Sequence, residues 1–111
     1  MAIGGYLLGS TVALAANGIY TSSSFETVNT PGGDLFTYFR VICASDQAGT
    51  VEVQQSMDNG VTWWTTLSQS TNGAVGTIVE SIVTAPLVRY VFTNGATAQA
   101  TFQIASNLIN R

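Results

Sequence analysis

Alternating apolar and polar positions mark residues 50–68 as the clearest β-hairpin in the chain. Val51 and Val53 lie on one face of the first strand and polar side chains lie on the other, which is the two-residue period of a half-buried strand. The turn-forming sequence Asp58-Asn59-Gly60 interrupts the pattern, and a second alternating run follows it. The segment therefore predicts two antiparallel strands joined by a tight turn.

The register of this hairpin depends on the length of its loop. A three-residue loop of Asp58, Asn59 and Gly60 places Val51 opposite Leu67 and keeps one face of the hairpin mostly apolar. Three-residue loops commonly end in a left-handed residue, a position that glycine occupies without steric cost. We predict this register, with Gly60 at positive φ.

Other runs of β-branched and aromatic residues predict further strands. Residues 35–44 form an almost continuous apolar run, which indicates a central strand covered on both faces except at Arg40. With the hairpin, this strand makes a predicted three-strand meander. A strand is expected over 76–84, and a second hairpin over 87–93 and 97–106. Strands at this spacing predict an all-β fold, an antiparallel β-sandwich of about seven or eight strands.

The first 20 residues carry no charged side chain, and glycines interrupt their apolar positions. The sequence Ala13-Leu14-Ala15 resembles a signal-peptidase site, but no Lys or Arg precedes it. The run is too short and too interrupted to span a membrane. We expect residues 1–20 to be an N-terminal arm or edge strand that packs on a neighbour, and 21–111 to be a single sandwich domain. The predicted interface residues are Ile3, Tyr6, Leu7, Leu8, Val12, Leu14 and Trp64.

Charged residues make up 8% of the chain, against about 25% in an average domain. The net charge is −3, there is no Lys, and Arg40, Arg89 and Arg111 are the three cations. No basic patch can form, which argues against nucleic-acid binding. A surface built from Thr, Ser, Asn and Gln can be buried against protein at low desolvation cost. Packing against other protein is therefore expected.

The residues that most catalytic and metal sites need are missing. Nucleophilic triads and dyads require an imidazole, and the chain has no His. The single cysteine, Cys43, can build neither a zinc site nor an intramolecular disulfide. No calcium-loop spacing occurs, and nothing in the spacing of the six carboxylates singles out a catalytic pair. We expect no enzymatic activity, no metal and no cofactor.

The segment from Ser56 to Trp63 fits the pattern S-x-D-x-G-x-T-W at every fixed position. It resembles the Asp-box, the hairpin motif repeated in sialidase-like propellers. The resemblance implies that the aspartate caps backbone N–H groups and that the aromatic residue packs beneath the turn. The motif occurs once, and the chain is too short for a propeller, so a structural turn is expected. Its residues are Ser56, Asp58, Asn59, Gly60, Thr62 and Trp63.

Trp63 and Trp64 are adjacent, so on a strand they point to opposite faces. One is expected in the core, and the other on the surface or at an interface, where tryptophan is enriched. An exposed tryptophan can also serve as a platform for a sugar ring. This alternative function is a carbohydrate-binding module of a tail fibre or a secreted enzyme.

Over most of its length the chain resembles the small decoration (cement) proteins of tailed-phage capsids. The features that carry the resemblance are the uncharged N-terminal segment, the single hairpin QSMDNGVTWW and the closing segment LVRYVFTNGATAQATFQIAS. The resemblance implies a non-enzymatic virion protein that is made in the host cytoplasm and stabilises the shell from the capsid surface. Its implied partners are further copies of itself, most simply as a trimer, and the major capsid protein.

Overall fold

Two antiparallel β-sheets packed face to face make up the fold. The computed structural model describes residues 7–29, 34–73 and 76–109, and no helix occurs among them. The strands are β1 (Leu7–Ser10), β2 (Ile19–Thr21), β3 (Phe25–Glu26), β4 (Val28–Asn29), β5 (Asp34–Leu35), β6 (Tyr38–Ser45), β7 (Gly49–Ser56), β8 (Trp64–Thr71), β9 (Thr77–Ile82), β10 (Leu87–Asn94) and β11 (Phe102–Ile109). The predicted all-β sandwich is confirmed.

The described strands divide between two main sheets and one small ribbon. Sheet I has the order β1-β11-β6-β9. Sheet II has the order β2-β10-β7-β8, and β3 also pairs with β10. Strands β4 and β5 form a separate two-stranded ribbon. The two main sheets thus contain nine of the described strands, slightly more than predicted.

The core lies between the inner faces of the two sheets. Tyr90 and Phe92 from sheet II and Phe39 from sheet I are almost completely buried. Phe92 stacks on Phe102 across the sandwich, with ring centroids 4.9 Å apart. Burial of a large apolar side chain contributes roughly 1.5–3 kcal/mol, so this layer holds the sheets together.

The predicted three-strand meander is wrong. Strand β6 lies in sheet I, whereas β7 and β8 lie in sheet II, so the chain crosses between the sheets over residues 46–48. Both β6 and β7 bury alternate residues, as neighbours in one sheet would. Alternation reports only which side chains face the core, and two strands that face each other across a sandwich give the same signal.

The predicted second hairpin is also wrong, because β10 lies in sheet II and β11 in sheet I. Residues 95–101 make the crossing. Asp46 lies in the connection from β6 to β7. Its carboxylate accepts the N–H of Ala100 at 3.0 Å and that of Thr101 at 3.1 Å, which holds the two connections together. Gln99 is buried here, and its amide donates to the Ser45 hydroxyl at 2.9 Å. Strand β11 therefore begins at Phe102 instead of at the predicted residue 97.

The register of the β7–β8 hairpin differs from the prediction. Val53, rather than Val51, lies opposite Leu67, and the register shifts after Val53. The loop between the strands has seven residues, 57–63. The Asp58 side chain accepts the Thr62 N–H, and residues 61–63 do not pair with β7. Gly60 has a φ of 90°, as predicted, and Asn59 has a φ of 63°.

A buried glutamine connects the sheets at the end that carries this loop. Gln55 of β7 accepts the N–H of Thr84 at 2.8 Å and that of Ala85 at 3.1 Å. Its amide nitrogen donates to the Ile82 carbonyl at 2.8 Å and to the Thr66 hydroxyl at 3.0 Å. The side chain thereby satisfies the backbone of the connection from β9 to β10.

The described part of the N-terminal segment lies on its own domain. Strand β1 is an edge strand of sheet I, paired with β11, and β2 joins sheet II, so the chain crosses the open side of the sandwich. Between them the Gln99 side chain accepts the Leu14 N–H at 2.8 Å, and the Leu14 carbonyl accepts the Gln99 N–H at 2.9 Å. No described stretch forms a helix long and apolar enough to cross a membrane.

Strand β1 approaches the core closely at a glycine. The Tyr20 hydroxyl donates to the Gly9 carbonyl at 2.9 Å, and the hydroxyl of Tyr90 lies against the Gly9 Cα. A methyl group added at Gly9 would overlap the Tyr90 hydroxyl. Among the described residues this buried hydroxyl finds no hydrogen-bond partner. Glycine is therefore required at this position by close packing.

Candidate docking surfaces

A network of hydrogen bonds fixes the loop over residues 57–63. The Asp58 carboxylate accepts the Thr62 N–H at 2.8 Å and the Ser56 hydroxyl at 2.9 Å. The buried Ser56 oxygen in turn accepts the Gly60 N–H at 2.9 Å. The Thr62 N–H, followed by the Ser56 hydroxyl, lowers the pKa of Asp58, because both stabilise its ionised form. These contacts correspond to the capping role that the Asp-box resemblance implies.

Trp63 packs beneath this loop. Its indole N–H donates to the Gly60 carbonyl at 3.1 Å, and the Arg89 guanidinium carbon lies 4.2 Å from the ring centroid. The Arg89 Nε donates to the Gln54 side chain at 2.8 Å, which orients the guanidinium. Trp63 is therefore the half-buried tryptophan of the pair, and Trp64 is the exposed one.

The loop and the first residue of β8 present large apolar side chains to solvent. Met57 is 71% exposed, Val61 is 83% exposed and Trp64 is 59% exposed. We name these three residues the loop tip. A soluble surface rarely groups large apolar side chains in this way unless they contact a partner.

The outer face of sheet I is a second apolar surface. Directly paired residues share a face of a sheet, and one row runs across all four strands: Leu8 of β1, Ala105 of β11, Ile42 of β6 and Ile78 of β9. Leu8 is 59% exposed and Ile78 is 64% exposed. Ile82, on the same face at the other end of β9, is 62% exposed. Asn107 and Ile109 of β11 lie on this face as well but are buried, so the exposed apolar side chains belong to β1, β6 and β9.

One ion pair lies in the middle of this face. Arg40 of β6 and Glu80 of β9 are paired in register, and the Arg40 Nη2 lies 2.7 Å from the Glu80 carboxylate. The two side chains are each about 30% exposed. Because they neutralise each other, the described outer face carries no net charge, although the chain as a whole carries −3.

A groove opens at one end of the outer face, near the end of β6. It has a volume of about 230 Å³ and is lined by Ile42, Cys43, Ala44, Gly76, Gln103 and Ala105. None of these described lining residues is charged. Burial raises the pKa of the Cys43 thiol to about 11, so the sulfur stays protonated at neutral pH. The groove can accept an apolar group but offers no thiolate nucleophile.

The residues predicted as an interface are dispersed in the structure. Leu8 lies on the outer face of sheet I and Trp64 in the loop tip. Val12 is 72% exposed in the connection after β1, whereas Leu14 packs partly against the core. Leu7 belongs to β1 but its side chain is not described, and Ile3 and Tyr6 lie outside the described residues.

Sequence reasoning missed three isoleucines of the outer face, namely Ile42, Ile78 and Ile82. A signal for Ile42 was present, because residues 35–44 are apolar on both faces. The sequence predicts a strand covered on both sides. In the structure one side of β6 faces the core, and Ile42 and Ala44 on the other side are exposed.

Acidic side chains and Cys43 do not cluster in the described part of the chain. In residues 7–29, 34–73 and 76–109, no group of three or more His, Cys, Asp or Glu side chains is arranged to hold a metal ion. The two sites with distinctive geometry are therefore the loop tip and the outer face.

Comparison with solved structures shows the same sandwich elsewhere. The chain superposes on the PBSX exported protein XepA with a TM-score of 0.86 at 20% identity, covering 97% of this chain and 38% of XepA. The chain thus spans about two fifths of the length of XepA. PirA gives a TM-score of 0.60 at 13% identity, with 89% of this chain and 92% of PirA covered. These likenesses concern the fold alone.

A CBM4 structure matches more loosely, with a TM-score of 0.46 at 14% identity over 92% of this chain and 74% of that one, which is too loose to support an argument. No curated protein matches the chain. A family match is nevertheless clear, because residues 5–109 fit the family described as the N-terminal domain of the uncharacterised protein YqxG. The chain belongs to this YqxG N-terminal domain family.

Proposed function

We propose that the protein is a non-enzymatic structural protein of a phage particle, which binds and stabilises the capsid shell as an oligomeric decoration protein. The observation that carries this proposal is the set of apolar side chains on the outer face of sheet I, of which Leu8, Ile78 and Ile82 are exposed. Exposed apolar patches of this kind mark protein interaction sites. The partners in this proposal are further copies of the chain and the major capsid protein, at the virion surface.

The electrostatics of the outer face support a protein partner. Its charged pair, Arg40 and Glu80, is already neutralised within the chain, so burying the face leaves no unpaired charge. The rest of the surface is built mostly from uncharged polar residues, which are also inexpensive to bury. Neither property suits a nucleic acid, which requires basic side chains.

The likeness to XepA supports a phage context for the proposal. XepA is a phage-related protein, and the fold of this chain corresponds to about two fifths of it. A single sandwich that recurs within a larger protein is consistent with a module that acts through its surfaces. The absence of His from the chain is consistent with a role that needs no catalysis.

The test is co-sedimentation of the purified protein with capsids assembled from the major capsid protein of the same genome. We expect saturable binding, and we expect Ile82→Glu to weaken it at least tenfold. The matched control is Ile19→Glu, which places the same charge on an isoleucine that is 63% exposed on β2, in sheet II. The proposal fails if the wild-type protein stays in the supernatant, or if both variants bind equally well.

Carbohydrate binding is the alternative function, and the exposure of Trp64 is the observation that favours it. An exposed indole can stack on a sugar ring, and Trp64 is the more exposed of the two tryptophans. A glycan-array screen of the wild-type protein and of Trp64→Ala separates the two functions. Binding of a glycan that is lost in Trp64→Ala would favour the alternative.

A further inference from the structure

The loop tip and the groove are complementary surfaces on one chain. We propose that the loop tip of one copy (Met57, Val61 and Trp64) docks into the groove of a second copy, in a head-to-tail contact that repeats from copy to copy. This inference shares one premise with the proposed function, namely that copies of the protein associate with each other. It assigns the contact to defined residues of the described fold.

The positions of the two surfaces prevent a chain from filling its own groove. Strand β7 begins at Gly49, beside the crossing from β6, and runs away from it to Ser56 and the loop. The groove lies at the Ala44 end of sheet I, and the loop tip lies at the opposite end of sheet II. Eight residues of strand span about 25 Å, so a loop tip that fills a groove must belong to another copy of the chain.

The two surfaces also match in chemistry and charge. The described lining of the groove is uncharged and mainly apolar, and so are the three side chains of the loop tip. The one charged residue of the loop, Asp58, directs its carboxylate to Ser56 and Thr62. Docking therefore buries apolar surface without stranding a charge.

The volume of the groove suits a side chain of the tip. An apolar cavity of about 150 Å³ accommodates a benzene ring. At about 230 Å³ the groove is large enough for Met57 or Val61, with Trp64 on its rim. A contact of this size leaves Ile82, at the far end of the outer face, accessible to a shell.

The loop tip is held in place before any contact forms. Ser56, Asp58 and Trp63 each hydrogen bond to another part of the loop, and Arg89 lies over the Trp63 ring. Little conformational entropy is then lost on docking, which favours association. A flexible loop of the same composition would be a poorer ligand.

A contact between two different surfaces has a defined consequence for assembly. Each copy contributes one tip and one groove, so every copy in a closed ring makes two contacts. Such a contact generates a ring when the rotation between copies closes, and an open chain when it does not. Two contacts per copy then make a closed assembly more stable than a pair of copies joined by one contact.

The experiment measures the mass of the full chain in solution by native mass spectrometry and by light scattering after gel filtration. We expect the wild-type protein to form a discrete multiple of the monomer. Val61→Glu, which disables the tip, and Ala44→Glu, which disables the groove, should each give monomers. Both positions are exposed, so the fold should survive, and circular dichroism checks this. Ile19→Glu is the matched control and should assemble normally.

Mixing the two disabled variants distinguishes this contact from others. A Val61→Glu chain keeps its groove and an Ala44→Glu chain keeps its tip, so the mixture should form a one-to-one dimer and stop there. A contact between identical surfaces would give no such rescue. The inference is overturned if the wild-type protein is monomeric, if either variant assembles like the wild type, or if the mixture stays monomeric.

The shell-binding test has an independent readout. Ile82→Glu should lose capsid binding and keep the mass of the wild-type assembly. Normal assembly without capsid binding would reject the proposed function and leave the tip-to-groove contact standing. If the wild-type protein binds capsids while the Val61→Glu and Ala44→Glu variants assemble normally, the proposed function stands and the tip-to-groove contact is rejected.

Discussion

Arg89 lies over the indole of Trp63, with its guanidinium carbon 4.2 Å from the ring centroid. The two residues belong to different parts of the fold, since Arg89 is in the central strand β10 and Trp63 closes the loop after β7. Because the Trp63 N–H donates to the Gly60 carbonyl, the shape of the loop depends on a cation in the adjacent strand of the same sheet. This dependence can be tested by substitution.

Replacing Arg89 with Ala should destabilise the protein by about 1 kcal/mol, since it removes a cation–π contact and a hydrogen bond to Gln54. Arg89→Lys keeps the charge but loses the planar stacking, so an intermediate effect is expected. Chemical denaturation followed by tryptophan fluorescence measures both changes. Equal stability of the wild type and both variants would show that the stacking contributes nothing.

Gly60→Val should cost about 1–3 kcal/mol, because it forces a β-branched residue to positive φ. Asn59 also has positive φ, but asparagine tolerates this region, and Asn59→Gly should change the stability by less than about 0.5 kcal/mol. Thermal unfolding of the two variants is the measurement. If Gly60→Val melts with the wild type, the loop does not hold this backbone conformation in solution.

The stability of the protein should fall in acid through two aspartates. Thr101 and Ala100 N–H groups lower the pKa of Asp46, and the Thr62 N–H and Ser56 hydroxyl lower that of Asp58. A carboxylate with a depressed pKa stabilises the fold above its unfolded pKa of about 3.9, and this contribution is lost as the pH falls through the folded value.

Asp46→Asn and Asp58→Asn should therefore melt below the wild type at pH 6. The difference should shrink at pH 3 and below, where the wild-type carboxylates become protonated. Melting temperatures across this range measure the effect. A difference that is the same at pH 3 and pH 6 would mean that neither charge matters.

Gly9→Ala should destabilise strand β1, because the new methyl group would overlap the Tyr90 hydroxyl. Tyr90→Phe removes a buried hydroxyl that has no partner among the described residues, and it should be nearly neutral. The double variant should recover part of the stability that Gly9→Ala loses. A double-mutant cycle with no coupling energy would contradict the close approach of these two residues.

Gln55→Leu should destabilise the protein by about 2–3 kcal/mol, since it leaves the N–H groups of Thr84 and Ala85 without their acceptor. A loss of this size lowers the melting temperature by roughly 4–8 °C per kcal/mol in a domain near this length. Gln54→Leu is a control on the same strand, where the side chain bonds only to Arg89 among the described contacts. Its effect should be smaller.

The sequence was sufficient to predict the class of fold and most of the inward-facing residues. Val51, Val53, Val88, Tyr90 and Phe92 all alternate as expected and are buried. It was insufficient to pair the strands, because alternation in β6 or β10 looks the same whether the next strand is a neighbour or lies across the core. The sheet that each strand joins depends on hydrogen bonds between residues far apart in the chain, such as those that Asp46 accepts from Ala100 and Thr101. No local sequence pattern contains this information.

The candidate surfaces were predicted unevenly for a related reason. The turn chemistry of Ser56, Asp58 and Gly60 is local, so the motif indicated its geometry correctly even though the register was wrong. The groove combines residues from β6 and β11 and from the connection before β9, which lie far apart in the chain. An exposed face of this kind becomes visible only when the strand order is known.

The repeated crossings of the chain between the two main sheets have a kinetic consequence. Among the described pairs of the two main sheets, only β7 and β8 are consecutive in the chain, and the other pairs join distant segments. Each of those contacts must close a long loop before it gains any pairing energy, and folds of this type reach the native state in milliseconds to seconds. Residues 49–71 can pair early, whereas β1 and β6 must both wait for β11, so residues 1–101 are synthesised before sheet I can be completed.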